Sequence, residues 1–183
     1  ADPAHYALLH PPEMSYGNRM RCLRDLRDLG FQVGCGFMVG TPHQTARMLA
    51  GDLKFIEQFA PEMCGIGPFM PQKDTPFGGM PAGSASLTAY LLSVVRLMLP
   101  PVLLPVTTAL TSASPLGRAL GVRAGGNVIM PNLSPISQRK KYALYDNKVA
   151  TGGESAQNVA RLKAMVAEMG YEIVVSRGDA ANR

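Results

Sequence analysis

The sequence has no tryptophan, only three cysteines and few charges. Charged residues fill 17% of its 183 positions, below the roughly 25% of an ordinary soluble domain. Part of the surface is therefore expected to meet another piece of protein. The cysteines are Cys22, Cys35 and Cys64. An odd number at wide, irregular spacing argues against a disulfide framework. No CxxC or CxxxCxxC pattern occurs, which excludes a self-contained cluster or zinc site. The three are read as buried free thiols, because a free cysteine packs as a small apolar side chain. His5, His10 and His43 lack metal-site spacing with a further ligand, and are read as surface or loop residues.

Long hydrophobic runs are also missing. The longest lies around Leu87–Leu104 and is broken by Arg96, Pro100, Pro101 and Pro105. No membrane span is expected from it. No signal-peptide pattern is seen, and with unpaired thiols this leads us to expect a reducing, cytoplasmic setting. The net charge is +5. Lys and Arg are scattered, with local clusters at Arg19–Arg27 and Arg139–Lys141. No basic stripe with interleaved aromatics occurs, so nucleic acid is not an expected partner. Mild attraction to anionic small molecules is.

What is present is a globular pattern. Apolar residues make up 46% of the chain, enough for one domain with a core. Ser15 to Leu29 predicts a helix, capped by Ser15, with Met20, Leu23, Leu26 and Leu29 on one face. Gly30 suits a left-handed stop. Phe31–Val39 and Met63–Phe69 predict buried strands. A helix from about Gln44 to Phe59 separates them. Pro71–Gly83 is a loop. Leu87–Leu99 predicts a third helix, Val102–Val106 a third strand, Pro115 to Ala124 a further helix and Asn127–Met130 a short fourth strand. Gln138–Leu144 predicts a helix, and Gly152-Gly153 leads into a last one from about Ser155 to Met169. Tyr171–Val175 reads as one more strand or an extended tail.

Strands alternating with helices predict an α/β fold with about four parallel strands and outer helices. A closed eight-stranded barrel needs about 250 residues. The chain is therefore a small open sheet or half of a barrel. Ligands of such folds sit at the carboxyl ends of the strands. Here those ends are Gly40-Thr41-Pro42, Pro68-Phe69-Met70, Thr107-Thr108-Ala109 and Met130-Pro131-Asn132. A turn needs a Gly or an Asn and little else, so the paired threonines and Met-Pro-Asn are read as lining a pocket.

The segments Met14–Thr45, Cys64–Phe77, Leu104–Leu110 and Gly125–Lys148 resemble, in order, the HydE family of FeFe-hydrogenase maturases. The resemblance runs from Ala1 to about Gly178. That family belongs to the radical S-adenosylmethionine (SAM) superfamily and is similar to biotin synthase and methylornithine synthase. The resemblance implies a TIM-type (β/α)8 barrel. It places the C-terminal half of that barrel in residues 1–150 and a helical extension and tail in 151–183. It implies a 4Fe-4S cluster held by a CxxxCxxC loop in the other half, and SAM bound on the cluster and cleaved to a 5′-deoxyadenosyl radical. The implied substrate is an iron complex carrying cysteine, carbon monoxide and cyanide, used in H-cluster assembly with other hydrogenase maturases. This fragment alone is expected to be inactive.

The resemblance also assigns residues. Arg19 matches an arginine on the SAM carboxylate, where a guanidinium fork meets two oxygens. Met130 matches a methionine beside SAM, and Tyr142 and Tyr145 match tyrosines that close over it. Thr107, Thr108 and Ala109 match a segment lining the substrate cavity. Gly36 to Gly40 resembles the superfamily's Gly-x-Ile-x-Gly strand against adenine. The acid found three residues later in many members is His43 here, so its role does not carry over. An optional second cluster would need cysteines where Ala150, Asn158 and Arg161 stand, so none is expected. A methylornithine synthase or biotin synthase-like enzyme remains an alternative, as does a non-catalytic half-barrel that binds an anionic ligand or self-associates.

Overall fold

A computed structural model of the chain describes residues 1–131, 134–139 and 155–180. Its centre is a parallel pair of strands, β1 (Gly34–Val39) and β2 (Met63–Pro68), in register from Gly34 opposite Met63 to Val39 opposite Pro68. Before β1 come two helices, α1 (Pro3–Leu9) and α2 (Tyr16–Asp28). Helix α3 (Ala46–Phe59) crosses from β1 to β2, and α4 (Ala85–Met98) follows the long loop after β2. Then come α5 (Thr108–Ala113), α6 (Gly117–Arg123), α7 (Ile136–Arg139) and α8 (Ser155–Glu168).

Local chemistry explains the boundaries. Asp2, Ser15, Thr45, Ser84 and Thr107 each accept a backbone N–H in the first turn of the helix that follows. Such caps satisfy donors that have no partner inside the helix. Gly30 takes φ +84° after α2, where only glycine turns left without strain. Helix α3 ends instead on Ala60 at φ 45°. Arg27 holds this end: its guanidinium donates to Phe59 O at 2.6 Å and Ala60 O at 3.1 Å, and lies over the Phe59 ring.

Two of the four expected strands form a continuous ladder. The other two are present as single parallel bridges, Met63 to Leu103 and Pro105 to Val128. The order is still sequential, each segment beside the next. The ladder is thin because Pro105 has no N–H and the amide of Leu104 is taken by the Asn127 side chain at 2.8 Å. Arg96 ties the end of α4 to this region, donating to Val102 O and Gly125 O, both at 2.9 Å. Tyr171–Val175, read as one more strand or an extended tail, is not assigned to a strand and follows the tail reading. Helix α1, not foreseen from the sequence, precedes the first expected one. The expected helix over Gln138–Leu144 is described only as Ile136–Arg139; the rest, and Gly152-Gly153, lie outside the described residues.

The sheet is buried on one face only. Val39, Cys64 and Ile66 are fully buried, with Cys35 and Phe37 packed beside them, under Ile56 of α3 and Leu91, Leu92 and Val95 of α4. The alternate positions, Gly34, Gly36, Met38, Met63, Gly65 and Gly67, are half-buried or exposed. Strand side chains alternate by face, so helices cover one side and the other is an open floor of glycine and methionine.

Two glycine substitutions should separate. A Cβ at Gly36 would stand 1.8 Å from the backbone oxygen of Gly65. Gly36→Ala should cost about 2 kcal/mol or more, because backbone must move to admit it. Gly51, inside α3, faces no atom within 4 Å, and Gly51→Ala should gain about 0.5–1 kcal/mol. Urea unfolding of the two variants measures both signs.

Candidate functional site

Parallel strands bring their carboxyl ends to one rim, and the backbone there is tightly tied. Phe69 N donates to Val39 O and Gly83 N to Phe69 O, both at 2.8 Å. The long loop thus returns over the ends of β1 and β2. A Cβ at Gly83 would stand 2.0 Å from Val39 O, and one at Gly40 2.7 Å from the Gly83 Cα. Gly40 itself sits at φ +79°. Gln44 brackets the end of β1, donating to Met38 O at 2.9 Å and accepting from Gly40 N at 2.6 Å.

Helix α1 anchors the same rim. His5 is buried, and its Nε2 lies 2.9 Å from Pro42 O and 3.5 Å from the Thr41 hydroxyl. This corrects the expectation of a surface or loop residue: the imidazole is the polar plug between α1 and the turn after β1. His43 is exposed at φ 63°. His10 stacks on Tyr6, with ring centroids 3.7 Å apart.

Thr107 stands at the inner rim. A Cβ on Gly67 would come within 2.8 Å of the Thr107 Oγ1, so the bare floor of β2 is what admits this side chain. Thr107 is the N-cap of α5, with Oγ1 accepting from Leu110 N at 3.3 Å. The threonine pair therefore starts a helix and does not simply end a strand. Thr108 is exposed and Ala109 half-buried in its first turn. Met130 is 65% exposed beyond the bridge at Val128. Arg19 is exposed on α2, and its charge acts on Cys35. No hydrogen bond links it to the threonines. Tyr142, Tyr145 and Ala150 lie outside the described residues. Asn158 is buried and Arg161 exposed on α8. Sequence reasoning missed His5 and Gly67. The alternation Cys64-Gly65-Ile66-Gly67 was the available signal for the second.

The thiols do not suit an iron–sulfur cluster. Cys22 is exposed on α2, which corrects its reading as buried. Cys35 and Cys64 face the helices side by side in register. Burial pushes Cys35 up to about 11 and Cys64 up to about 12, whereas cluster ligation needs thiolates. Among the described residues no group of three His, Cys, Asp or Glu side chains could hold a metal ion. No helix among them is long and apolar enough to cross a membrane.

Comparison with known proteins decides the relationship. Over 149 residues, 81% of the chain, it is 41% identical to the [FeFe] hydrogenase maturase subunit HydE of Thermotoga maritima. This chain is a relative of HydE. It is also 27% identical over 147 residues to 3-methylornithine synthase of Methanosarcina barkeri. The crystal structure of methylornithine synthase (PylB) superimposes with a TM-score of 0.72 at 24% identity, over 88% of this chain and 46% of that one. The fold is thus the one that about half of that structure has. No protein-family model matches. The chain spans 42% and 41% of the two curated relatives. In this HydE relative the glycine floor of β1 and β2 is the sheet face without helical cover.

Raised thiols carry a pH signature. Their protonated forms are favoured in the folded state, so their contribution to stability is full below the ordinary thiol value of 9.0. It is lost as pH rises through about 11 and about 12. At pH 8 a thiol reagent should label Cys22 fast and the other two only on unfolding. Denaturation midpoints should fall above pH 9, and fall less in a Cys35→Ala, Cys64→Ala double variant.

Proposed function

We propose that this chain is the C-terminal half-barrel, residues 1–150 with the extension 151–183, of a radical SAM maturase. The whole protein would act on an iron–cysteine–carbonyl–cyanide precursor in H-cluster assembly, together with other hydrogenase maturases. The observation that carries this reading is the 41% identity to HydE across four-fifths of the chain. The 4Fe-4S cluster would be held outside this chain, since burial favours the protonated thiols of Cys35 and Cys64 and Cys22 stands exposed on α2.

The chain would supply walls. Arg19 would pair with the SAM carboxylate by a forked contact. Met130, Tyr142 and Tyr145 would cover SAM at the mouth. Thr107, Thr108 and Ala109 would line the substrate cavity. The Thr107 hydroxyl accepts the Leu110 amide and keeps its own proton to donate, for instance to a carboxylate or a cyanide nitrogen. The open floor at Gly65 and Gly67 leaves room for a ligand beside it, in keeping with the meaning of glycine inside a strand.

A second reading has its own support. The matched methylornithine synthase structure shares the fold, so an organic substrate in place of the iron complex is the rival. Grafting this chain onto the N-terminal half of Thermotoga HydE separates them. The chimera should mature FeFe-hydrogenase, and Thr107→Val with Thr108→Val should lower that yield roughly tenfold or more, the cost of about one lost hydrogen bond to a charged group. A chimera that cleaves SAM but matures no hydrogenase would favour the rival. Treated alone with iron and sulfide, the chain should show no stable 4Fe-4S absorption band; a stoichiometric cluster would overturn the placement of the ligands.

A further inference from the structure

The outer edge of β1 is unfinished except at one end. β1 pairs with β2 on one side only. Its odd-numbered positions face that partner. Val33 O, just before the strand, accepts from Glu62 N at 3.0 Å, and Val39 O accepts from Phe69 N at 2.8 Å. Main-chain groups alternate sides along a strand. Gly34, Gly36 and Met38 therefore turn their N–H and C=O groups outward, and all three residues are exposed. Among the described residues no main-chain group bonds to them on that side.

One rung of this edge is filled by a side chain. Thr41 O accepts from Gln44 N at 3.0 Å, with His43 at φ 63°, so the chain doubles back beside the end of β1. There the Gln44 amide donates to Met38 O at 2.9 Å and accepts from Gly40 N at 2.6 Å. A carboxamide offers the same donor and acceptor as a peptide. Met38 O and Gly40 N are the two groups that one residue of a parallel neighbour would bridge; an antiparallel neighbour would bond both groups of a single residue. Gln44 thus imitates a parallel strand. Two like rungs stay open, Gly34 O with Gly36 N and Gly36 O with Met38 N.

We infer that this edge takes one more parallel strand, which pairs along Gly34, Gly36 and the Met38 N–H and stops where Gln44 holds the last rung. Unpaired edge groups are a template for such a strand. Under the function proposed above, on which this rests, the occupant is a strand of the rest of the barrel. The pairings already present, β1 with β2, Met63 with Leu103 and Pro105 with Val128, are all parallel. The chain spans 42% and 41% of its two curated relatives, so they have chain to supply the strand. A second copy fits less well. Two copies meeting antiparallel about Gly36 would each need Met38 O, which Gln44 has taken. Gln44 is a positioning residue: it finishes the edge below the Gly40 turn, so the added strand leaves that part of the rim uncovered.

Amide hydrogen exchange tests this in the 183-residue chain and in its fusion to the N-terminal half of Thermotoga HydE. In the chain alone, Gly34, Gly36 and Met38 should exchange fast and Gly40 slowly. Gln44→Ala should speed Gly40 about fivefold or more, the ratio for one lost hydrogen bond, with α3 unchanged. If that variant does not fold, equal rates at Gly36 and Gly40 in the unsubstituted chain would overturn the part given to Gln44. In the fusion, Gly36 and Met38 should slow about tenfold or more, while Gly40 keeps its rate. A fusion that matures hydrogenase with Gly36 and Met38 still fast would overturn the inference and leave the proposed function standing. A fusion in which they slow but no hydrogenase matures would uphold the edge and count against that function. Slow exchange at Gly36 in a chain that light scattering shows to be a dimer would give the edge to a second copy and overturn the inference.

Discussion

Everything in this chain depends on how closely β1 and β2 approach at Gly36 and Gly65. There is no room for a side chain at Gly36. The tight pairing sets the register that puts Cys35, Phe37, Val39, Cys64 and Ile66 under the helices. It equally sets Gly34, Gly36, Gly65 and Gly67 on the opposite side. The two-residue periodicity leaves no alternative, since a slip by one would turn the apolar set outward. The same constraint makes a stable half and an open wall.

The wall explains the composition. Helical cover is complete on one side, with Leu92, Val95, Leu104 and Leu110 fully shut off from water. Under the proposed function, cover on the other side would come from the rest of a barrel. The rim is tied from three directions: by Gly83 over the strand ends, by His5 beneath Pro42 and by Gln44 around Gly40. Thr107 is thereby held over Gly67, where a hydroxyl and an open floor meet.

Much of this was legible in the sequence, and the failures have physical causes. Helix α2 was readable because Ser15, a three-residue apolar spacing and Gly30 agree with one another. The two full strands were readable from apolar runs ending in turn residues. Val102–Val106 and Asn127–Met130 were read as strands, but Pro105 and the Asn127 side chain remove ladder bonds that a pattern of apolar residues does not reveal. Thr107 was read at the end of a strand, whereas it caps a helix of six residues, too short for periodicity to signal. His5 was read as a surface or loop group because its partner, Pro42 O, is 37 residues away. Cys22 was read as buried by type, but it stands on the outer side of an amphipathic helix. Arg19 and Met130 drew their roles from resemblance alone, and both are exposed.

Split-barrel assembly tests the central claim most directly. The N-terminal half of Thermotoga HydE, expressed separately, would be mixed with this chain and followed by light scattering and SAM titration. The account predicts a one-to-one complex that binds SAM, with neither half binding it alone. A chain that remains apart from that half, or that pairs only with itself, would contradict it.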